Sequence, residues 1–196
     1  MKTYNSFINF LCSLMAIEIP DVYYHYKNQY YDLERFEIKP FEMDEKIKSF
    51  VIPDENSVYL NLDCMENDLD VYIVLAHEIR HCAQYQATEG IGLADIAERD
   101  IMYQWKKEFS RFSTHENTCQ EVELDANAFA WFIAKVIFGT EIKLNCDESL
   151  VKPYKKYICR NYSLTEIKER LDYSGFELGQ SQACLLYTSD AADEAR

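Results

Sequence analysis

Apolar positions along this chain repeat with two different periods, and the changes of period mark its elements. Phe7, Phe10, Leu11, Leu14 and Met15 share one face of a helix, which predicts an amphipathic core helix broken by Pro20-Asp21. Residues 22–31 are rich in tyrosine and fit helix or strand equally well. Alternation then takes over. Phe36-Glu37-Ile38-Lys39 reads as a short strand closed by Pro40. Residues 47–52 and 57–62, joined by the turn-forming Pro53-Asp54-Glu55-Asn56, read as an antiparallel hairpin. The stretch Val71-Tyr72-Ile73-Val74-Leu75-Ala76 is an unbroken apolar run, and a helix apolar on nearly every side belongs inside a domain. Asn67 is its expected N-cap, Asp68 and Asp70 suit the positive end of its dipole, and it should reach about Gln86. Two further helices are predicted over 93–112 and 119–138, with a polar loop over 113–118 between them and Gly139 ending the second. Ser163-Leu164-Thr165-Glu166 is a capping box opening a last helix to about Tyr173. The class predicted is α+β, mostly helical, with a small antiparallel sheet beside the helix that starts at Asn67.

Composition changes this picture mainly at the C-terminus. The 196 residues, 48% hydrophobic and 28% charged, suit one globular domain, and 26 Tyr and Phe residues against 5 Gly favour packed helices over loops. Residues 184–196 resemble the translation of a sequencing-library adapter and read as a cloning or assembly scar. The domain is therefore expected over 1–183, and the natural chain is expected to continue past Ala183. The scar contains Asp190, Asp193, Glu194 and Arg196, so setting it aside moves the net charge from −14 to −12. Such acidity argues against nucleic acid or an anionic membrane as the partner, and no stretch is long enough to span a bilayer. Cys12, Cys64, Cys82, Cys119, Cys146 and Cys159 are scattered, with no C-x-x-C pair. Reduced thiols and a cytoplasmic location are expected rather than secretion, and no A-x-A cleavage site follows the apolar N-terminal stretch.

Candidate chemistry sits at the end of the buried apolar run, in His77-Glu78-Ile79-Arg80-His81. Four residues apart on a helix, His77 and His81 project from one face, which suits two ligands of a tetrahedral Zn²⁺. Glu78 can reach a water on the metal as general base. A durable zinc site needs a third protein ligand, and the acidic candidates lie in Glu121-Val122-Glu123-Leu124-Asp125. Ala126, Phe129, Ala130, Ile133 and Ile137 define the apolar face of that helix. Glu123 falls about 60° from the centre of this face and Glu121 about 140° away. Helical phase therefore favours Glu123, with Glu121 looking to solvent. Asn127, one turn beyond Glu123, is expected to hydrogen-bond a ligand. The rival register makes Glu121 the ligand with Asp125 one turn on.

These motifs, His77-Glu78-x-x-His81 and Glu123-x-x-Ala126-Asn127-x-Phe129-Ala130, resemble the gluzincin class of zinc metallopeptidases. Within it they look most like the small ImmA/IrrE-like and related metallopeptidase-domain proteins of bacteria and phages. The resemblance covers roughly residues 45–140. It departs at Arg80, where ImmA-type sequences usually have Gly, and the Leu-Leu-Met-Pro tail of the second motif is absent. It implies a zincin-like domain, His77, His81 and Glu123 as zinc ligands, Glu78 as base, and a peptide or protein substrate. Zincins often place an edge strand beside the metal, and residues 57–62 are the candidate here. His115, Tyr72 or Tyr85 is a candidate donor to the tetrahedral intermediate. Two other classes stay open: a non-catalytic zinc-binding regulatory protein, and a helical interaction domain without metal.

Overall fold

Helix α2, Asp68–Thr88, organises the molecule, and its sequence explains why. The Asn67 side chain caps it, accepting from the Asp70 backbone N–H at 3.2 Å, and Val71, Tyr72, Leu75, Ala76, Ile79 and Cys82 bury its flanks. The computed structural model describes residues 2–26, 29–32, 38–39, 46–95, 97, 99–110 and 120–177. Around α2 pack α1 (Lys2–Met15), α3 (Arg99–Phe109), α4 (Glu121–Phe138) and one face of a sheet. Helix α5 (Glu148–Asn161) lies against α4, and α6 (Leu164–Ser174) against α1. The architecture is α+β and mostly helical.

The sheet is mixed rather than antiparallel. Its strands are β1 (Asp21–Tyr26), β2 (Gln29–Asp32), β3 (Ile38–Lys39), β4 (Ser49–Ile52) and β5 (Ser57–Asn61), in the order β3-β2-β1-β5-β4. The expected hairpin is β4–β5, with Phe50 opposite Tyr59 and Val51 opposite Val58. The ambiguous tyrosine-rich stretch is strand β1, and it pairs with β5 in parallel, Val22 beside Val58 and Tyr24 beside Leu60. That pairing makes β5 internal, buried at all five positions, and leaves β4 as the edge. Strand 57–62 is therefore not the edge strand that the zincin resemblance implied. A strand covered on both faces and both sides can still alternate in sequence, because Ser57 and Asn61 find hydrogen bonds inside.

The N-terminal stretch is the core helix its spacing predicts: Phe7, Phe10 and Leu11 are fully buried. Phe7 meets Tyr72 of α2 at 4.9 Å between ring centres, Tyr72 stacks on Phe138 at the end of α4, and Phe176 closes the group after α6. Aromatic filling of this kind is where the tyrosine and phenylalanine content goes. The helix expected over 93–112 is shorter: a 3-10 turn over Gly92–Asp95 precedes α3. Gly92 adopts φ +59°, and a Cβ there would stand 2.7 Å from the Met15 carbonyl oxygen, so the turn presses on the end of α1. Gly139, at φ 62°, ends α4, and Ser163 caps α6 through the Glu166 N–H at 3.1 Å, both as expected. Cys12, Cys82 and Cys159 are free thiols. No helix among the described residues is long and apolar enough to cross a membrane. The adapter-like tail, Cys119 and the whole loop expected over 113–118 with His115 lie outside the described residues, as do Phe36 and Glu37 of the expected first strand.

Candidate metal centre

His77 and His81 leave the same face of α2, one turn apart, and α4 brings Glu123 opposite them. The position of Glu123 depends on how α4 starts. Gln120 offers no side-chain cap, and the carboxylate of Glu108, from α3, takes over: it accepts from the N–H groups of Glu121 and Val122 at 3.2 and 3.0 Å. A negative charge on orphan N–H groups at the positive end of a helix is favourable twice over.

The three donor groups are close enough to share one ion. His77 Nε2 and His81 Nε2 are 3.1 Å apart. Glu123 Oε2 lies 3.4 Å from His77 Nε2, and Glu123 Oε1 lies 3.3 Å from His81 Nε2. A tetrahedral zinc with bonds of about 2.0–2.1 Å requires its donors roughly 3.3 Å apart. The observed separations match those edges, and two imidazoles with one carboxylate are a donor set zinc favours. The residues therefore fit a metal ion of the kind that the motif implies.

Electrostatics favour the cluster. Burial alone would raise the Glu123 carboxyl, but hydrogen bonds to His77 and His81 hold it well below the usual carboxylate range. Burial opposes a charge on His81, yet Glu123, Glu78 and Gln84 together lift it to about 9. The base candidate Glu78 is buried beside them, and its Oε1 accepts from Ser49 Oγ of edge strand β4 at 2.7 Å. Ser49, Phe50 and Val51 form the other wall of a cavity of about 180 Å³ lined by His77, Glu78, His81 and Glu123. That volume is large enough for an ion and a few water-sized groups.

The remaining candidates separate clearly. Glu121 does not join the cluster and does not face bare solvent. It is half-buried toward Tyr154 and Glu108, and burial together with the Glu108 charge raises its carboxyl. Asn127 is half-buried on α4, and the hydrogen bond expected from it to a ligand is made instead by Gln84: its Oε1 meets His81 Nδ1 at 2.9 Å. Asp125 is sealed in the core rather than on the cavity, where Arg80 donates to both its oxygens at 2.7 and 3.0 Å. Tyr72 is locked in the aromatic core and Tyr85 packs edge-on against Phe109; neither lines the cavity. Arg80 and Gln84 carried no role in the sequence reading. The available signal was spacing: Gln84 follows His81 by three, so it shares the ligand face of α2. No known protein family matches the chain, and no curated protein or solved structure is detectably similar to it.

Proposed function

We propose that this protein is a zinc-dependent metallopeptidase whose ligands are His77, His81 and Glu123 and whose general base is Glu78. One observation carries the reading: three donors from two helices stand at tetrahedral separations, and a buried carboxylate opens onto the same cavity. A zinc ion held there supplies Lewis acidity toward water and toward a carbonyl oxygen. The chain supplies the rest. Glu78 takes the proton from the attacking water and returns it to the leaving amine, work that a purely structural site would not require. Ser49 donates to one of its oxygens and leaves the other to accept that proton. A peptide lies extended along β4, whose outer edge has no strand beside it among the described residues.

Purified protein should contain one zinc per chain, and a peptide library should be cleaved by the wild type and not by Glu78→Gln. Zinc at that stoichiometry with no cleavage by either form would instead favour a binding module that uses the ion for recognition or structure. Absence of zinc from the wild type, with no uptake on addition, would overturn the metal reading altogether.

A further inference from the structure

A buried relay stands behind the ligand His81, and it carries information about that ligand. Gln84 is fully buried. Its Nε2 lies 2.9 Å from the carbonyl oxygen of Val122 and 2.6 Å from Asp125 Oδ2. An oxygen in that place would face a carbonyl and a carboxylate, so the amide orientation is decided by its neighbours. Asp125 cannot turn away, because the Arg80 guanidinium grips both its oxygens. Arg80 is held in turn by the Tyr162 hydroxyl at 2.9 Å and lies over the Phe129 ring at 5.1 Å. With its nitrogen committed, Gln84 turns its Oε1 to His81 Nδ1 at 2.9 Å. An amide oxygen only accepts, so Nδ1 carries a proton. The nitrogen that His81 offers to the cavity is therefore Nε2, the one facing His77 and Glu123.

We propose that Gln84 is a positioning residue that fixes the ring orientation of His81 and holds the proton on Nδ1, leaving Nε2 as the nitrogen for a metal, with Asp125 and Arg80 as its anchor. The inference rests on the metal reading above but not on peptide hydrolysis. A partner that holds the non-ligating nitrogen typically contributes ~10–100-fold in metal affinity. Here that partner is a neutral amide whose own direction is imposed by an ion pair from two helices. His77 is treated differently: among the described residues, its ring meets only His81 and Glu123.

The test is zinc affinity, by chelator competition, for the wild type, Gln84→Leu and Gln84→Glu, with cobalt spectra of the same proteins. Gln84→Leu removes the acceptor and should bind zinc ~10–100-fold more weakly, with an altered cobalt visible band. Gln84→Glu keeps an oxygen for Nδ1 but turns its second oxygen against the Val122 carbonyl and Asp125, so it should lose affinity as well. Leucine at that position binding within about twofold of the wild type, or glutamate binding as tightly as the wild type, overturns the proposal. Should both variants fail to fold, ¹⁵N-histidine spectra of the zinc-loaded wild type decide it. A hydrogen-bonded proton on His81 Nδ1 supports the proposal, and zinc on Nδ1 overturns it. A wild type that takes up no zinc overturns this and the metal reading together; zinc uptake without hydrolysis removes only the peptidase.

Discussion

The two faces of α2 near its middle carry charge in opposite ways. On the cavity side, His77 and Glu123 keep 20% and 24% of their side-chain surface exposed, and their donor atoms stand 3.4 Å apart. On the core side, Arg80 and Asp125 are each 1% exposed and satisfy one another in bidentate fashion. The first arrangement holds like donors together and leaves room for an ion. The second leaves no room for anything. A helix one residue out of phase between function and scaffold thus serves both, with Gln84 joining them. The lesson is that a buried ion pair beside a candidate centre need not belong to the chemistry: its value is in what it holds still.

That contrast makes predictions, beginning with the core side. Arg80→Ala leaves the Asp125 carboxylate buried and unpaired and should lower unfolding free energy by about 3–5 kcal/mol. The double variant Arg80→Met with Asp125→Leu should be clearly more stable than Arg80→Ala in denaturant melts, because no orphan charge remains. Equal stability of the two would mean that the pair matters for shape and not for charge. On the cavity side, Glu78→Gln should leave zinc content unchanged and reduce peptide hydrolysis by about 10²–10⁴-fold.

Smaller still is the effect of the ion on stability. Free zinc at about 100 times its dissociation constant should stabilise the wild type by about 2.7 kcal/mol, a rise of roughly 5–10 °C in melting temperature for a domain of this size. His77→Ala should show no such rise. The smallest effect is expected at Glu121: Glu121→Gln should keep full zinc content, since its carboxylate turns to Tyr154 and Glu108 and not to the cavity. A loss of zinc there would reinstate the rival ligand register.

Much of the helical scaffold was legible in order along the chain. Caps and breakers act through neighbours a few residues away, so Asn67, Gly139 and Ser163 mark helix ends without any knowledge of the rest. The pairing of His77 with His81 is likewise local, one turn of one helix. Helical phase alone placed Glu123 nearer the core than Glu121, because the apolar stripe of α4 records which way the molecule's centre lies. The expected helix over 93–112 overran its true start, since the pressure of Gly92 on the end of α1 is a contact between distant segments.

What tertiary structure alone decided are the long-range partnerships. Strand β1 could be read as helix or strand until β5 took it up in parallel, and that choice turned β4 into the edge beside the cavity. Arg80 looks like any charged residue on a helix until Asp125, 45 positions away, removes it from water. Gln84 is an unremarked amide until a carbonyl and a carboxylate from α4 settle which end of it faces His81. Sequence periodicity encodes which side of an element is apolar. It does not encode which polar groups will meet on the inside, because that depends on how the elements are stacked and not on how each is wound.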